Sequence, residues 1–155
     1  MKYQINKAVV IGAGTMGAAI AAHLANAGVR VSLLDIVPSQ LSPDEEARGL
    51  SLNDSQVRNR IVREGFQAAQ KSRPASFFTV EISALVSIGN LEDNLEVISD
   101  ADWVVEVIIE NLDIKRQLMS RIDEIRKPST IVSTNTSGIP VSSISEGLSE
   151  GFRQH

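Results

Sequence analysis

The chain has 155 residues, 43% apolar and 22% charged, which is enough for one domain with a true core and too apolar for a disordered segment. A net charge of −4 argues against a general nucleic-acid or anionic-membrane partner. The absence of cysteine excludes disulfides, thiolate metal sites and thiol nucleophiles, and fits a reducing compartment.

The first element is a buried strand over Ala8 to Ile11, followed by Gly12-Ala13-Gly14-Thr15-Met16-Gly17, a helix of small residues running to Gly28, and a second strand ending on Asp35. Each glycine has a physical role in this pattern. Gly12 permits the tight turn out of the strand. Gly14 lacks the Cβ that would hold a diphosphate off the backbone, and Gly17 lets the helix lie close on the sheet. The diphosphate would then meet unpaired N–H groups and the positive end of the helix dipole, with Thr15 and Met16 inside the same cofactor-binding turn. Asp35 stands where an acidic side chain accepts the ribose hydroxyls of adenosine. A 2′-phosphate beside it would meet repulsion on the order of 4 kcal/mol per unit pair at 4 Å and an effective dielectric of 20. The unit therefore predicts a Rossmann-type, doubly wound α/β fold with a mainly parallel sheet, binding NAD in preference to NADP. Residues 8–29 are apolar or small enough to mimic a signal peptide or membrane span. The dinucleotide reading accounts for them, along with His23 and Asn26, so no span and a cytoplasmic location are expected.

A simple crossover would return to the sheet soon after Asp35, but the next strand signal is Leu85 to Ile88, which leaves a helical arm inserted at about residues 39–80. Ser42, Pro43 and Glu45 form a capping box with proline at the first helical position. A longer helix is expected from Asn53 as N-cap, stapled by Leu52 and Val57 with Gln56 at the third position, and running to about Ser72 ahead of Pro74. Its spacing puts Val57, Ile61 and Ala68 on one side and Arg60, Arg63, Gln67 and Lys71 on another. Arg48, Arg58, Arg60, Arg63, Lys71 and Arg73 outnumber Asp54 and Glu64 here, which fits either a solvated face or a docking arm for an anionic ligand.

The rhythm then resumes with a polar helix near Leu91 to Ile98 and a central strand from Trp103 to Ile108. Next come a helix burying Ile114, Leu118, Ile122 and Ile125, a strand from Thr130 to Thr134, a polar turn at 135–138 and a short helix near Val141. Ligands bind beyond the carboxyl ends of such strands, which draws attention to Asp35, the segment from Glu106 to Lys115, and the turn holding Asn135 and Ser137. Glu106 lies in an apolar run and is expected either to be hydrogen-bonded as a structural carboxylate or to face the crevice. Glu110 and Lys115 flank the following helix start, where an exposed surface pair is the default reading. Asn135 and Ser137 could serve a nicotinamide or only a turn. His23 belongs to packing or surface, and His155 is not placed as a base. An acid/base of the usual imidazole kind is thus missing.

Residues 11–17, Asp35, the run from Ala101 to Lys115 and Ser133 to Gly138 together closely resemble the NAD-binding domain of 3-hydroxyacyl-CoA dehydrogenases, notably the dehydrogenase part of bacterial bifunctional β-oxidation proteins. The resemblance implies Gly12, Gly14 and Gly17 on the pyrophosphate and Asp35 on the adenine ribose. It places Glu110 and Lys115 by the nicotinamide half, and Ser137 as a catalytic contact to both nicotinamide and substrate hydroxyl. It further implies an acyl-CoA substrate lying over the basic arm. The family's histidine, in a His-Phe-Phe-Asn-Pro segment, and its glutamate partner have no match here. The expectation is a cofactor domain without its C-terminal substrate and dimerisation domain, a homodimer only in the full-length protein. Alone it would bind NAD without turnover and expose an apolar patch where that domain docks. A stand-alone NAD-binding regulatory module and another NAD-dependent hydroxyacid dehydrogenase are the competing readings.

Overall fold

A computed structural model describes residues 4–154, so His155 lies outside the described residues. Five strands, β1 (Lys7–Ile11), β2 (Arg30–Asp35), β3 (Val86–Asn90), β4 (Trp103–Glu106) and β5 (Ile131–Thr134), form one all-parallel sheet in the order β3-β2-β1-β4-β5. The register sets Ile11 beside Leu34 and Glu106, and Glu106 beside Thr134, so the loops leaving these four strands share one edge. The order reverses between β1 and β4, which opens a crevice at that edge.

Both faces of the sheet are covered, as the near-continuous apolar strands require. Ala8 and Val10 point into a core shared with α1 (Thr15–Asn26) and α4 (Arg60–Lys71). Val9 and Ile11 point into a second core with α5 (Leu112–Ile125), α6 (Val141–Ile144) and α7 (Glu150–Arg153). Helix α1 lies close to the sheet because the side chains it buries include Ala18, Ala21, Ala22 and Ala25.

The inserted segment opens as its sequence predicts. Helix α2 (Pro43–Ala47) carries the full capping box, Glu45 N–H donating to Ser42 Oγ at 3.3 Å and Ser42 N–H to Glu45 Oε2 at 2.7 Å. The longer helix differs from expectation. It begins at Asp54 rather than Asn53 and breaks at Asn59 into α3 (Ser55–Arg58) and α4. Side chains at the break explain it: Arg58 is drawn to Asp93 and Glu92, and Asn59 turns to Ser55 and Asn90. The break resets the helical phase, so Val62 and Ala69 are buried with Phe66 against α1, in place of the predicted Ile61 and Ala68.

Three further elements depart from the sequence reading. The expected helix at 91–98 is a turn followed by a 3-10 segment, Leu95–Asp100, because the buried Asn90 carboxamide accepts from the N–H groups of Glu92 and Asp93 at 3.0 and 2.8 Å. Strand β4 stops at Glu106, whose own carboxylate takes the Ile108 N–H at 2.7 Å. Helix α5 starts under an Asn111 cap, which sets a phase that buries Lys115, Leu118, Met119 and Ile122 and leaves Ile114 42% exposed. No helix among the described residues is long and apolar enough to cross a membrane.

Candidate dinucleotide site

The turn out of β1 is fixed by backbone geometry. Gly12 has φ +104°, and a Cβ there would stand 2.4 Å from the Val107 carbonyl oxygen, so the position excludes any other residue on two counts. A Cβ on Gly17 would lie 1.8 Å from the Gly12 carbonyl oxygen, which is the close helix-to-turn packing expected. Gly14 is different: its backbone is extended, and a Cβ would meet nothing within 4 Å. The fold does not need a glycine at 14, and its absence of a Cβ leaves the loop backbone open from outside. Gly14 also caps α1 without a side chain, and no acidic residue sits in the first turn. The helix's leading N–H groups are therefore left for an anion, with Thr15 and Met16 exposed beside them.

Asp35 stands at the end of β2 beside this turn. Its Oδ2 accepts the Ala13 N–H at 2.6 Å and its Oδ1 the Ile36 N–H at 2.7 Å. Those bonds orient the carboxylate and use one lone pair on each oxygen, leaving one on each for two neighbouring hydroxyls. The carboxylate opens into a cleft of about 490 Å³ floored by Gly12 and Gly14 and walled by Leu91, Ile109, Ile114 and Arg121. Arg121 braces that wall by donating to the Leu91 carbonyl at 2.8 Å. The cleft thus sets an apolar wall beside an oriented carboxylate, a lining suited to a flat apolar group with hydroxyls at one end.

On the other side of the turn the exits of β4 and β5 are tied together. Glu110 accepts from the Thr136 hydroxyl at 2.6 Å and from the Ser137 N–H at 3.1 Å, and these bonds hold its carboxyl below the usual range, the hydroxyl contributing most. The expected residues Glu110 and Ser137 are thus neighbours, with Asn135 exposed on the same loop and its N–H on the Glu106 carbonyl at 2.8 Å. Glu106 and Lys115 do not line an open crevice. They are 0% and 1% exposed and joined at 2.7 Å, and Glu106 also accepts from Thr134 at 2.5 Å. The pair sits beneath the 107–110 segment and holds it from below.

Sequence reading missed Gly65, where a Cβ would stand 1.9 Å from the Ala13 carbonyl oxygen. A glycine inside an otherwise regular amphipathic helix was the available signal. The arm's cations are largely engaged within the protein: Arg58 with Asp93 and Glu92, Arg60 with Glu45, Arg48 with Asp44, and Arg63 with the Gln56 carbonyl. His23 is exposed on α1. Among the described residues no cluster of potential metal ligands is present.

A parallel sheet reversing at a glycine turn, with a helix start above it and a carboxylate one strand away, defines a dinucleotide-binding domain. Residues 7–154 match the family model described as 3-hydroxyacyl-CoA dehydrogenase, NAD binding domain, and the chain belongs to that family of NAD-binding domains. It is 45% identical over 155 residues to a probable 3-hydroxyacyl-CoA dehydrogenase of Bacillus subtilis, covering 100% of this chain and 20% of that protein. It is 46% identical over 151 residues to one of Deinococcus radiodurans, covering 97% and 40%. The dehydrogenase part of multifunctional enzyme 1 from C. elegans superposes with a TM-score of 0.67 at 25% identity, covering 96% of this chain and 30% of that one. The chain therefore spans between a fifth and two fifths of the length of these relatives.

Proposed function

We propose that the chain supplies the NAD-binding half of a 3-hydroxyacyl-CoA dehydrogenase that oxidises (S)-3-hydroxyacyl-CoA to 3-ketoacyl-CoA in β-oxidation. The supporting observation is the cleft itself: a Cβ-free approach at Gly14, flanked by an oriented carboxylate at Asp35 and the Glu110–Ser137 cluster across the turn. The NAD⁺ nicotinamide supplies the hydride acceptor. The first-turn N–H groups of α1 hold the diphosphate, with Gly12, Gly14, Thr15, Met16 and Gly17 shaping the loop. Asp35 receives the adenosine ribose hydroxyls. Asn135, Glu110 and Ser137 orient the nicotinamide half, with Lys115 and Glu106 fixing the loop beneath. The Ser137 hydroxyl, exposed at the strand exit, hydrogen-bonds the substrate hydroxyl.

Acceptance of the substrate proton falls to a residue outside the described ones, since His23, their one imidazole, stands in the last turn of α1, away from the Gly14 end that faces the cofactor. The acyl-CoA lies toward the arm, and the remaining dehydrogenase domain closes the cleft and forms the homodimer. Calorimetry tests the reading. NAD⁺ is expected to bind tighter than NADP⁺, and Asp35→Ala to weaken NAD⁺ while relaxing that preference. Equal affinity for both cofactors in the unmodified chain would overturn it. A companion assay expects no reduction of acetoacetyl-CoA by the chain alone; turnover would show that the acid/base lies within it.

A further inference from the structure

We propose that Gly65 is a positioning residue for the coenzyme: by letting α4 touch the Ala13 carbonyl it sets the place of Asp35, and so the choice between NAD and NADP. The inference rests on the assignment of Asp35 to the ribose. Ala13 is buried and held from two directions. Its N–H donates to Asp35 Oδ2 at 2.6 Å, while its carbonyl oxygen lies where a Gly65 Cβ would stand at 1.9 Å, with its carbonyl carbon at 2.9 Å and its Cβ at 3.0 Å.

The obstructing atoms are backbone, so no rotamer change relieves the contact and either the loop or the helix has to shift. Helix α4 is anchored by buried Val62 and Ala69 and by Phe66, whose ring meets Phe77 edge-on at 6.0 Å. The turn is pinned before Ala13, where the Gly12 N–H donates to the Leu34 carbonyl at 2.7 Å, and after it, where the Ala18 N–H donates to the Gly14 carbonyl at 2.9 Å. The peptide between these pins, which carries the bond to Asp35, is the part left to move. The arm helix thus reaches the sugar-binding carboxylate through one residue, although α4 itself lies on the other side of the turn from the Asp35 cleft.

Gly65→Ala tests this by calorimetry with NAD⁺ and NADP⁺, beside Val62→Ala, which trims another buried side chain of α4 and adds no atom toward the Ala13 carbonyl. Gly65→Ala is expected to weaken NAD⁺ by about tenfold and to narrow the NAD⁺/NADP⁺ preference by a similar factor, as a misplaced positioning group does. Val62→Ala is expected to leave the preference unchanged. Loss of affinity for both cofactors in equal proportion in Gly65→Ala would reduce Gly65 to a packing residue and overturn the inference. If Gly65→Ala does not fold, hydrogen exchange on the unmodified chain decides. NAD⁺ should slow exchange across residues 62–69 of α4 more than across residues 150–153 of α7, neither of which the proposed cofactor contacts include; equal or unchanged exchange in the two segments overturns the inference. Asp35→Ala is run in parallel. If it leaves both affinities unaltered, the ribose assignment fails instead, so the two failures are distinguishable.

Discussion

Gly12 and Gly14 are two residues apart in one turn, yet the structure asks opposite things of them. Gly12→Ala places a Cβ against the Val107 carbonyl at a left-handed φ, and is expected to destabilise the fold by about 3 kcal/mol, read from urea unfolding. Gly14→Ala meets no protein atom and keeps an allowed backbone, so stability should change by less than about 1 kcal/mol. Its NAD⁺ affinity should nevertheless fall, because the methyl group occupies the approach of the diphosphate. Equal loss of stability in the two variants would refute this separation of a folding glycine from a binding glycine.

At the scale of elements, charges fasten both ends of β4 to its neighbours. Glu106 on β4 and Lys115 on α5 neutralise each other where neither reaches water, so Lys115→Met strands a carboxylate and is expected to cost about 3 kcal/mol. Pairing it with Glu106→Gln should recover part of that loss; a double variant as unstable as the single one would show that the two groups are not coupled. At the opposite end of β4, Asp102 accepts from the Lys127 ammonium at 2.7 Å and from the N–H groups of Asn6 and Lys7 at 2.9 and 3.0 Å. These partners, Lys127 first, hold its pKa down to about 2 from 3.8. A carboxyl lowered on folding stabilises the protein above its unfolded value. That contribution is lost as pH falls from about 4 toward about 2. Asp102→Asn should flatten the pH dependence of the urea midpoint in this window, and an unchanged slope would count against the bridge.

For the molecule as a whole, the proposed cofactor contacts come from the ends of β1, β2, β4 and β5, so binding should stabilise the entire sheet. NAD⁺ at about 100 times its dissociation constant is expected to add about 2.7 kcal/mol to unfolding. Asp35→Ala at the same concentration should lose most of that gain in a thermal melt. A gain as large in the variant as in the parent chain would place the ligand elsewhere. Because the two cores share the sheet, the gain should appear in one transition for probes on either face.

Much of this was legible along the chain because the features are local. The alternation of apolar strands, the glycines at 12, 14 and 17, the acid closing β2 and the Ser42 capping box each depend on residues a few positions apart. The five strands and the Asp35 carboxylate follow from them. What failed was phase and partnership. Ile114 was read as core, yet the Asn111 cap rotates α5 so that it faces the cleft and Lys115 is buried in its turn. Asn59 broke a helix that periodicity had drawn as continuous, because its partner Asn90 is remote in sequence. The sequence by itself determined a dinucleotide-binding sheet and the place of its glycine turn, since sterics and helix dipoles act over neighbouring residues. Only the tertiary structure decided that Glu106 and Lys115 spend their charges on each other and that Gly65 meets Ala13. Such contacts join segments separated along the chain and exist only after the sheet and its helices have closed on one another.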